Sequence, residues 1–234
     1  MIEQDMTAPQ IQNLLIVLLL IAFAGMEYLS GRYKATVKAT TNDTKLELFM
    51  FLSLLAITQP LAILVTRKLG TWLAPDMQGA LADWPWWAMI GLLLLVDDMT
   101  QYWWHRLSHS PLFWPLHRAH HSAEYMSIRV TFRNNFFYYL MMPGLWFAGA
   151  LLYLGVGGFV YAFYIAFKLA VIVGAHCAWR WDEALYRIPA MRPVMWVLER
   201  TISTPATHWA HHAITNDDGV GHYKGNFGNL LFIF

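Results

Sequence analysis

Every histidine of the chain lies between His105 and His222, and eight of the ten fall into three tight groups. These are His105-Arg-Leu-Ser-His109, His117-Arg-Ala-His120-His121 and His208-Trp-Ala-His211-His212. Imidazole is the commonest protein metal ligand and the side chain that titrates nearest neutrality. Residues three and four apart on a helix share a face, with Cβ atoms about 5–6 Å apart. The spacing therefore predicts that His105 and His109 point the same way, and that each H-x-x-H-H triplet aims its rings at a common point. Three such helical segments, converging, would surround a pair of metal ions with eight imidazoles. His176 and His222 stand apart and are the candidates to complete the shell. A lone histidine is more often a core or surface residue, and one H-x-x-x-H arises easily by chance. Two copies of H-x-x-H-H beside it in one chain do not.

A metal-bound histidine generally passes its second ring N–H to a carboxylate or carbonyl. Asp98 follows helical spacing with His105 and His109 and is the first candidate for that supporting role, with Asp97 as runner-up. Glu124, three residues beyond His121, is the other candidate. The plainer reading, that these acids sit at an aqueous boundary, stays open beside it. Asn134 and Asn135 are candidates as neutral oxygen ligands or hydrogen-bonding partners. Cys177 adjoins His176, and a small buried packing residue is its expected role. As the sole cysteine it excludes an intramolecular disulfide.

The elements that must position these rings are membrane helices. The chain is 57% hydrophobic and 13% charged, against about 25% charged in soluble domains. A span needs about 20 mostly apolar residues. Ile11 to Leu29 and Leu46 to Val65 meet that length. Trp86 to Trp104 starts apolar and turns polar at Asp97-Asp98. Phe136 to Ala175, interrupted at Gly155-Val-Gly157-Gly158, reads as a hairpin of two spans. The expectation is an all-α integral membrane protein of four to five transmembrane helices, with a cytoplasmic helical cap holding a histidine-rich dimetal site. Residues 1–83 form N-terminal transmembrane helices and 84–234 a catalytic region, within one structural domain. The segment before the first span carries Glu3 and Asp5 and no basic residue, unlike a secretory signal, so that span is expected to be retained.

Basic residues set the orientation. With five spans, thirteen Lys or Arg share the side of the histidine groups and two, Arg67 and Lys68, lie on the other. By the positive-inside rule the histidine face is cytoplasmic, in a bacterial inner membrane or an endoplasmic reticulum membrane. The tryptophans crowding that side read as interfacial anchors. A net charge of +1 carries no nucleic-acid signal.

At Asp98 to Ser122, DMTQYWWHRLSHSPLFWPLHRAHHS, and Thr207 to Leu231, THWAHHAITNDDGVGHYKGNFGNLL, the chain resembles the fatty acid hydroxylase/sterol desaturase superfamily. The resemblance runs roughly from Trp84 to Phe234 and could leave the first span peripheral to a four-span core. It implies a histidine-ligated di-iron site that uses O2 to hydroxylate or desaturate a lipid, with fatty acyl chains, sterols and carotenoids all open. It assigns His105, His109, His117, His120, His121, His208, His211 and His212 to the ligand motifs, His176 to a histidine after the last span, and His222 to a less constant position. Zinc ranks above Fe(II) in intrinsic affinity, so replacement of iron by zinc is expected where a purified sample is exposed to both. Two external electrons are needed, and the chain carries no flavin fingerprint and no Cys-rich ferredoxin motif, which implies a separate electron-donor protein. Two departures stand out. Where many relatives carry a further histidine, this chain reads Arg133-Asn134-Asn135. The family pattern also continues past Phe234, which implies a longer natural protein. Competing readings are a non-enzymatic membrane scaffold subunit of a larger complex, a haem-binding redox protein and a zinc hydrolase.

Overall fold

The computed structural model describes residues 6–213 and 225–233. Among these residues the chain is helical and without strands. Helix α1 runs Ala8–Leu29, the short α2 Arg32–Thr36 and α3 Thr41–Leu73. Helix α4 is a continuous path over 86–108. It is followed by α5 (Trp114–His121), α6 (Phe136–Met141), α7 (Pro143–Tyr153) and α8 (Gly158–His176). The short α9 (Glu183–Tyr186), α10 (Arg192–Thr201) and α11 (Pro205–His212) complete the described helices.

Helices α1, α3 and α8 are long and apolar enough to cross a bilayer. The sequence leads one to expect two spans between Phe136 and Ala175, and only α8 reaches spanning length. Pro143 lacks a backbone N–H and forces Met142 into an extended conformation, so the first half divides into helices of 6 and 11 residues. Both α3 and α4 contain a π turn, at Leu54–Thr58 and Leu94–Asp98. Such turns insert a residue into the helical ladder and re-aim the side chains around it.

Small residues let the helices close on one another. A Cβ at Gly149 of α7 would run into the Thr66 hydroxyl of α3, and one at Gly70 of α3 would meet the Tyr153 ring. With no hydrophobic drive between helices in lipid, such close backbone approach is the main source of packing energy. Met89 and Leu93 of α4, Ala148 and Leu151 of α7, and Tyr161, Tyr164 and Val171 of α8 form the largest buried apolar cluster.

Helix α1 is not peripheral to this assembly. It packs along α8, and its Glu27 is 1% exposed. The Glu27 carboxylate accepts from Ser127 Oγ at 2.8 Å, Ile128 N at 2.8 Å and Ala178 N at 2.7 Å. The start of α3 is likewise tied to the histidine side. Arg129 donates to Glu47 at 2.8 Å, and Arg133 bridges Asp43 and Glu47, to which Tyr125 also donates. These polar ties keep the loop between α1 and α3 on the face where the histidines gather.

Candidate metal centre

Nine of the ten histidines come together in two groups. His105, His109, His117, His121 and His211 form one, and His120, His176, His208 and His212 the other; within each, all ligand nitrogens lie within 4.8 Å of one another. His222 lies outside the described residues. His176 enters the second group from the last turn of α8. Cys177 is buried and belongs to neither group.

The triplets do not aim at a common point, contrary to the sequence expectation. Helix α5 sends His117 and His121 to the first group and His120 to the second; α11 sends His208 and His212 to the second and His211 to the first. Consecutive helical residues differ by about 100° of rotation. The adjacent pairs therefore diverge, with ring planes 84° apart for His120 and His121 and 83° apart for His211 and His212. The two helices thus divide their rings in opposite sense between neighbouring groups. His121 and His212 stack across the junction with centroids 4.3 Å apart.

Hydrogen bonds to the far ring nitrogens decide what the near ones can do. Nδ1 of His105 meets Phe227 O at 2.8 Å, His120 meets Val130 O at 3.0 Å, His176 meets Ile172 O at 2.7 Å and His211 meets Gly225 O at 2.8 Å. His117 meets Asn134 Oδ1 at 2.7 Å and His208 meets Asn226 Oδ1 at 2.7 Å. Every partner is a carbonyl oxygen, so every one of these six nitrogens must carry the proton. In a neutral imidazole that leaves Nε2 bare. Yet the bare atoms of His105 and His211 approach to 3.1 Å, of His120 and His176 to 3.2 Å, and of His176 and His208 to 2.9 Å. Two lone pairs cannot hydrogen-bond to each other. A metal bound to two imidazoles at about 2.0–2.1 Å from each nitrogen brings those nitrogens to about this separation. The donor set therefore suits a cation in each group.

Protonation does not rescue the alternative. Burial pushes His117 down to about 3, with the charge of neighbouring rings adding to it and the Asn134 bond opposing it. Burial, followed by neighbouring rings, holds His120, His121, His208, His211 and His212 well below the ordinary histidine value. These rings are neutral at pH 7, the form in which imidazole ligates metal.

Local sequence explains the presentation. Thr204 caps α11 in a reciprocal capping box with Thr207, with Pro205 in the first turn. The helix therefore starts at Pro205 and presents His208 at the end of its first turn. Buried Asp182 accepts from Ala206 N at 2.6 Å and anchors the same end. Asn226 has φ 62°, a left-handed conformation that asparagine tolerates better than most residues. It places Oδ1 between His208 and the Ser203 hydroxyl, the latter at 2.6 Å, and its amide donates to Thr207 Oγ1 at 3.2 Å.

The carboxylates expected to orient the histidines do not touch them. Asp98 is fully buried and accepts from Leu230 N at 3.2 Å and Phe232 N at 3.1 Å. It fastens the C-terminal segment whose Phe227 carbonyl receives His105, one step removed from the ring. Asp97 pairs with Lys168 at 2.6 Å. Glu124 is exposed, and no hydrogen bond engages it among the described residues. A carboxylate needs desolvation to be useful there, and backbone carbonyls of already folded loops supply an oxygen without that cost. The orienting residues that sequence reasoning missed are Asn226 and the carbonyls of Gly225, Phe227, Ile172 and Val130. The Gly225-Asn226-Phe227-Gly228 stretch was the available signal. Asn135 caps α6, donating nothing to the rings.

A cavity of about 220 Å³ ends at His105, His117, His120, His176 and His208. Its other walls are chiefly apolar, from Phe51, Leu54 and Leu145 to Ile165 and Leu169.

Residues 90–234 match the model of the family described as fatty acid hydroxylase. Among curated proteins, the chain is similar to alkylglycerol monooxygenase of Danio rerio, 28% identical over 130 residues that cover 55% of this chain and 25% of that protein. The chain thus matches about a quarter of the length of that curated relative. No solved structure matches significantly.

Proposed function

Because this chain belongs to the fatty acid hydroxylase family, we propose that it is an integral-membrane oxygenase that uses O2 and two external electrons to hydroxylate or desaturate a lipid. The nine converging histidines would hold two iron ions, five in one group and four in the other, with His222 a further candidate. The three pairs of bare Nε2 atoms at 2.9–3.2 Å carry this reading.

Iron held in these groups would supply an oxidant strong enough for an unactivated C–H bond. Hydroxylation consumes O2, two electrons and two protons and yields the hydroxylated lipid and one water; desaturation yields an alkene and two waters. The chain's own residues bind and orient. The carbonyls behind six of the imidazoles hold their tautomer and direction. Phe132 and Tyr138 line the cavity, Tyr138 stacked on the His117 ring, and help to screen the histidine end, where water would compete with a lipid chain. The apolar walls select a hydrocarbon.

Substrate enters from the bilayer in this reading. A second groove of about 670 Å³ lies between α1 and α3, and it shares Ile16, Phe51, Leu55 and Gln59 with the cavity that ends at the histidines. The similarity to an alkylglycerol monooxygenase makes an ether lipid one candidate beside fatty acyl chains, sterols and carotenoids. The histidine face is cytoplasmic, and electrons come from a separate donor protein. Residues 84–234 form the catalytic region, and α4 and the α6–α7 pair would raise the membrane-embedded segments to the expected four or five.

The expected further histidine is replaced without loss of support. Arg133 turns to Asp43 and Glu47, while Asn134 orients His117. A scaffold without chemistry has no comparable observation in its favour. The test is metal analysis of the chain purified without chelators, with an O2- and reductant-dependent assay on membrane lipids. About two iron ions per chain and oxidised lipid are expected. Protein that binds no transition metal would overturn the proposal.

A further inference from the structure

The cavity that ends at the histidines carries, in its otherwise apolar wall, a charged pair that the oxidation itself does not use. Lys168 of α8 and Asp97 of α4 are 8% and 5% exposed, with Nζ and Oδ2 2.6 Å apart. Tyr164 donates to the same carboxylate oxygen at 3.1 Å. Both charged residues line the cavity. Ionisable groups at membrane depth are expensive and mark functional sites by default. Gly144 makes room for this one, since a Cβ there would strike Asp97 Oδ1.

The pair keeps hydrogen-bonding capacity in hand. An ammonium has three donors, and among the described residues Lys168 uses one, on Asp97. Tyr161 also lines the cavity, about two turns before Lys168 on α8 and so farther from the histidine end, and its hydroxyl makes no hydrogen bond among the described residues. Asp97 stands eight residues before His105 on α4, and Lys168 eight residues before His176 on α8. At 1.5 Å per residue, each lies about 12 Å along its helix from the histidines. Two helices thus set the same distance between the charged pair and the candidate metal centre.

We propose that the Asp97–Lys168 pair, with Tyr161, is a recognition site for a neutral oxygen of the substrate lipid, a hydroxyl, ether or carbonyl, lying about 12 Å from the carbon to be oxidised. This rests on the lipid-oxygenase reading for the identity of the occupant. The chemistry selects a neutral oxygen because Asp97 already balances Lys168. A carboxylate or phosphate would add an uncompensated charge in a low-dielectric wall. The oxygen accepts from the spare ammonium hydrogens and from the Tyr161 hydroxyl, and so holds the hydrocarbon in register. The site measures the chain, and the histidine end oxidises whatever carbon arrives there.

The test is equilibrium binding to the full chain as purified, in lipid nanodiscs without reductant. Labelled hexadecan-1-ol, hexadecane and hexadecanoate are the probes. The double variant Asp97→Leu/Lys168→Met removes the pair without stranding a charge. Its affinity for the alcohol should fall on the order of ten-fold or more, as expected for a hydrogen bond to a charged group, while hexadecane binding stays within about two-fold. Retained hexadecane binding also reports an intact cavity. Tyr161→Phe, which deletes only a hydroxyl, should weaken the alcohol several-fold and leave hexadecane unchanged, and it keeps the question answerable if the double variant does not fold. Equal losses for alcohol and alkane in both variants, no loss in either, or tighter binding of hexadecanoate than of the alcohol in the parent chain would overturn the proposal. Absence of O2-dependent product would count against the oxygenase reading alone, since the binding comparison involves no turnover.

Discussion

The ring of His117 donates its Nδ1 proton to the side-chain oxygen of Asn134 at 2.7 Å, seventeen residues away in sequence. Both are buried, and the bond leaves His117 Nε2 bare beside its group. The asparagine stands in the stretch where the family resemblance leads one to expect another histidine. Its amide oxygen works behind a ring instead of joining the candidate ligand nitrogens.

Asn134→Leu should therefore weaken metal binding without dismantling the fold. Partners that orient a ligating histidine are typically worth 10–100-fold in metal affinity. A competition titration against a chelator of known affinity should show a loss in that range, with unchanged helical circular dichroism. Asn134→Asp, which keeps an acceptor, should recover most of it. Equal affinity for all three proteins would mean that the hydrogen bond does not set the ring.

His176→Ala tests the division into two groups. His176 Nε2 faces both His120 and His208, and all three belong to the four-histidine group. Bound iron per chain should drop from about two toward one, with lipid oxidation lost, while the five-histidine group stays loaded. Unaltered stoichiometry in elemental analysis would argue against this assignment.

Acid should act through the same rings. His117 is held at about 3 in the folded chain, against about 6.5 unfolded. Below the unfolded value, the unfolded chain binds the proton and the folded chain does not, so stability falls with pH. The contribution is complete above about 6.5 and is lost progressively as pH falls toward 3. Thermal unfolding of metal-free protein should move to lower temperature across that window, and bound metal should be released in it. A melting temperature flat from pH 7 to 4 would contradict the burial of neutral rings.

Glu27 makes a structural prediction far from the histidines in sequence. Its carboxylate receives three donors, two of them backbone N–H groups at the segments that carry Val130 and follow His176. Glu27→Leu would leave all three without an acceptor, at a cost on the order of 3 kcal/mol or more. Earlier thermal unfolding in detergent and faster proteolysis after α1 are expected, with a smaller effect for Glu27→Gln. Wild-type behaviour of Glu27→Leu would mean that α1 is not latched through this residue.

Much of this was legible in the chain. The three histidine motifs, their helical setting and their convergence could be read from spacing, because side-chain identity and a 3.6-residue period are local properties. Apolar runs announced α1, α3 and α8 for the same reason. The broken run over 136–153 was less legible, since hydropathy averages over Pro143 while the backbone does not.

Residue type and helical period alone determined that this is a membrane chain of helices with imidazoles enough to hold metal. Only the tertiary structure decided how the two H-x-x-H-H triplets are shared between two groups, that carbonyls and asparagines rather than Asp98 or Glu124 stand behind the rings, and that Asp97 meets Lys168 in the cavity wall. Those choices depend on which partner a folded neighbour brings within 3 Å, and the partners lie as many as 122 residues apart, as with His105 and Phe227. Spacing along one helix can say which residues share a face; it carries no information about what that face will meet.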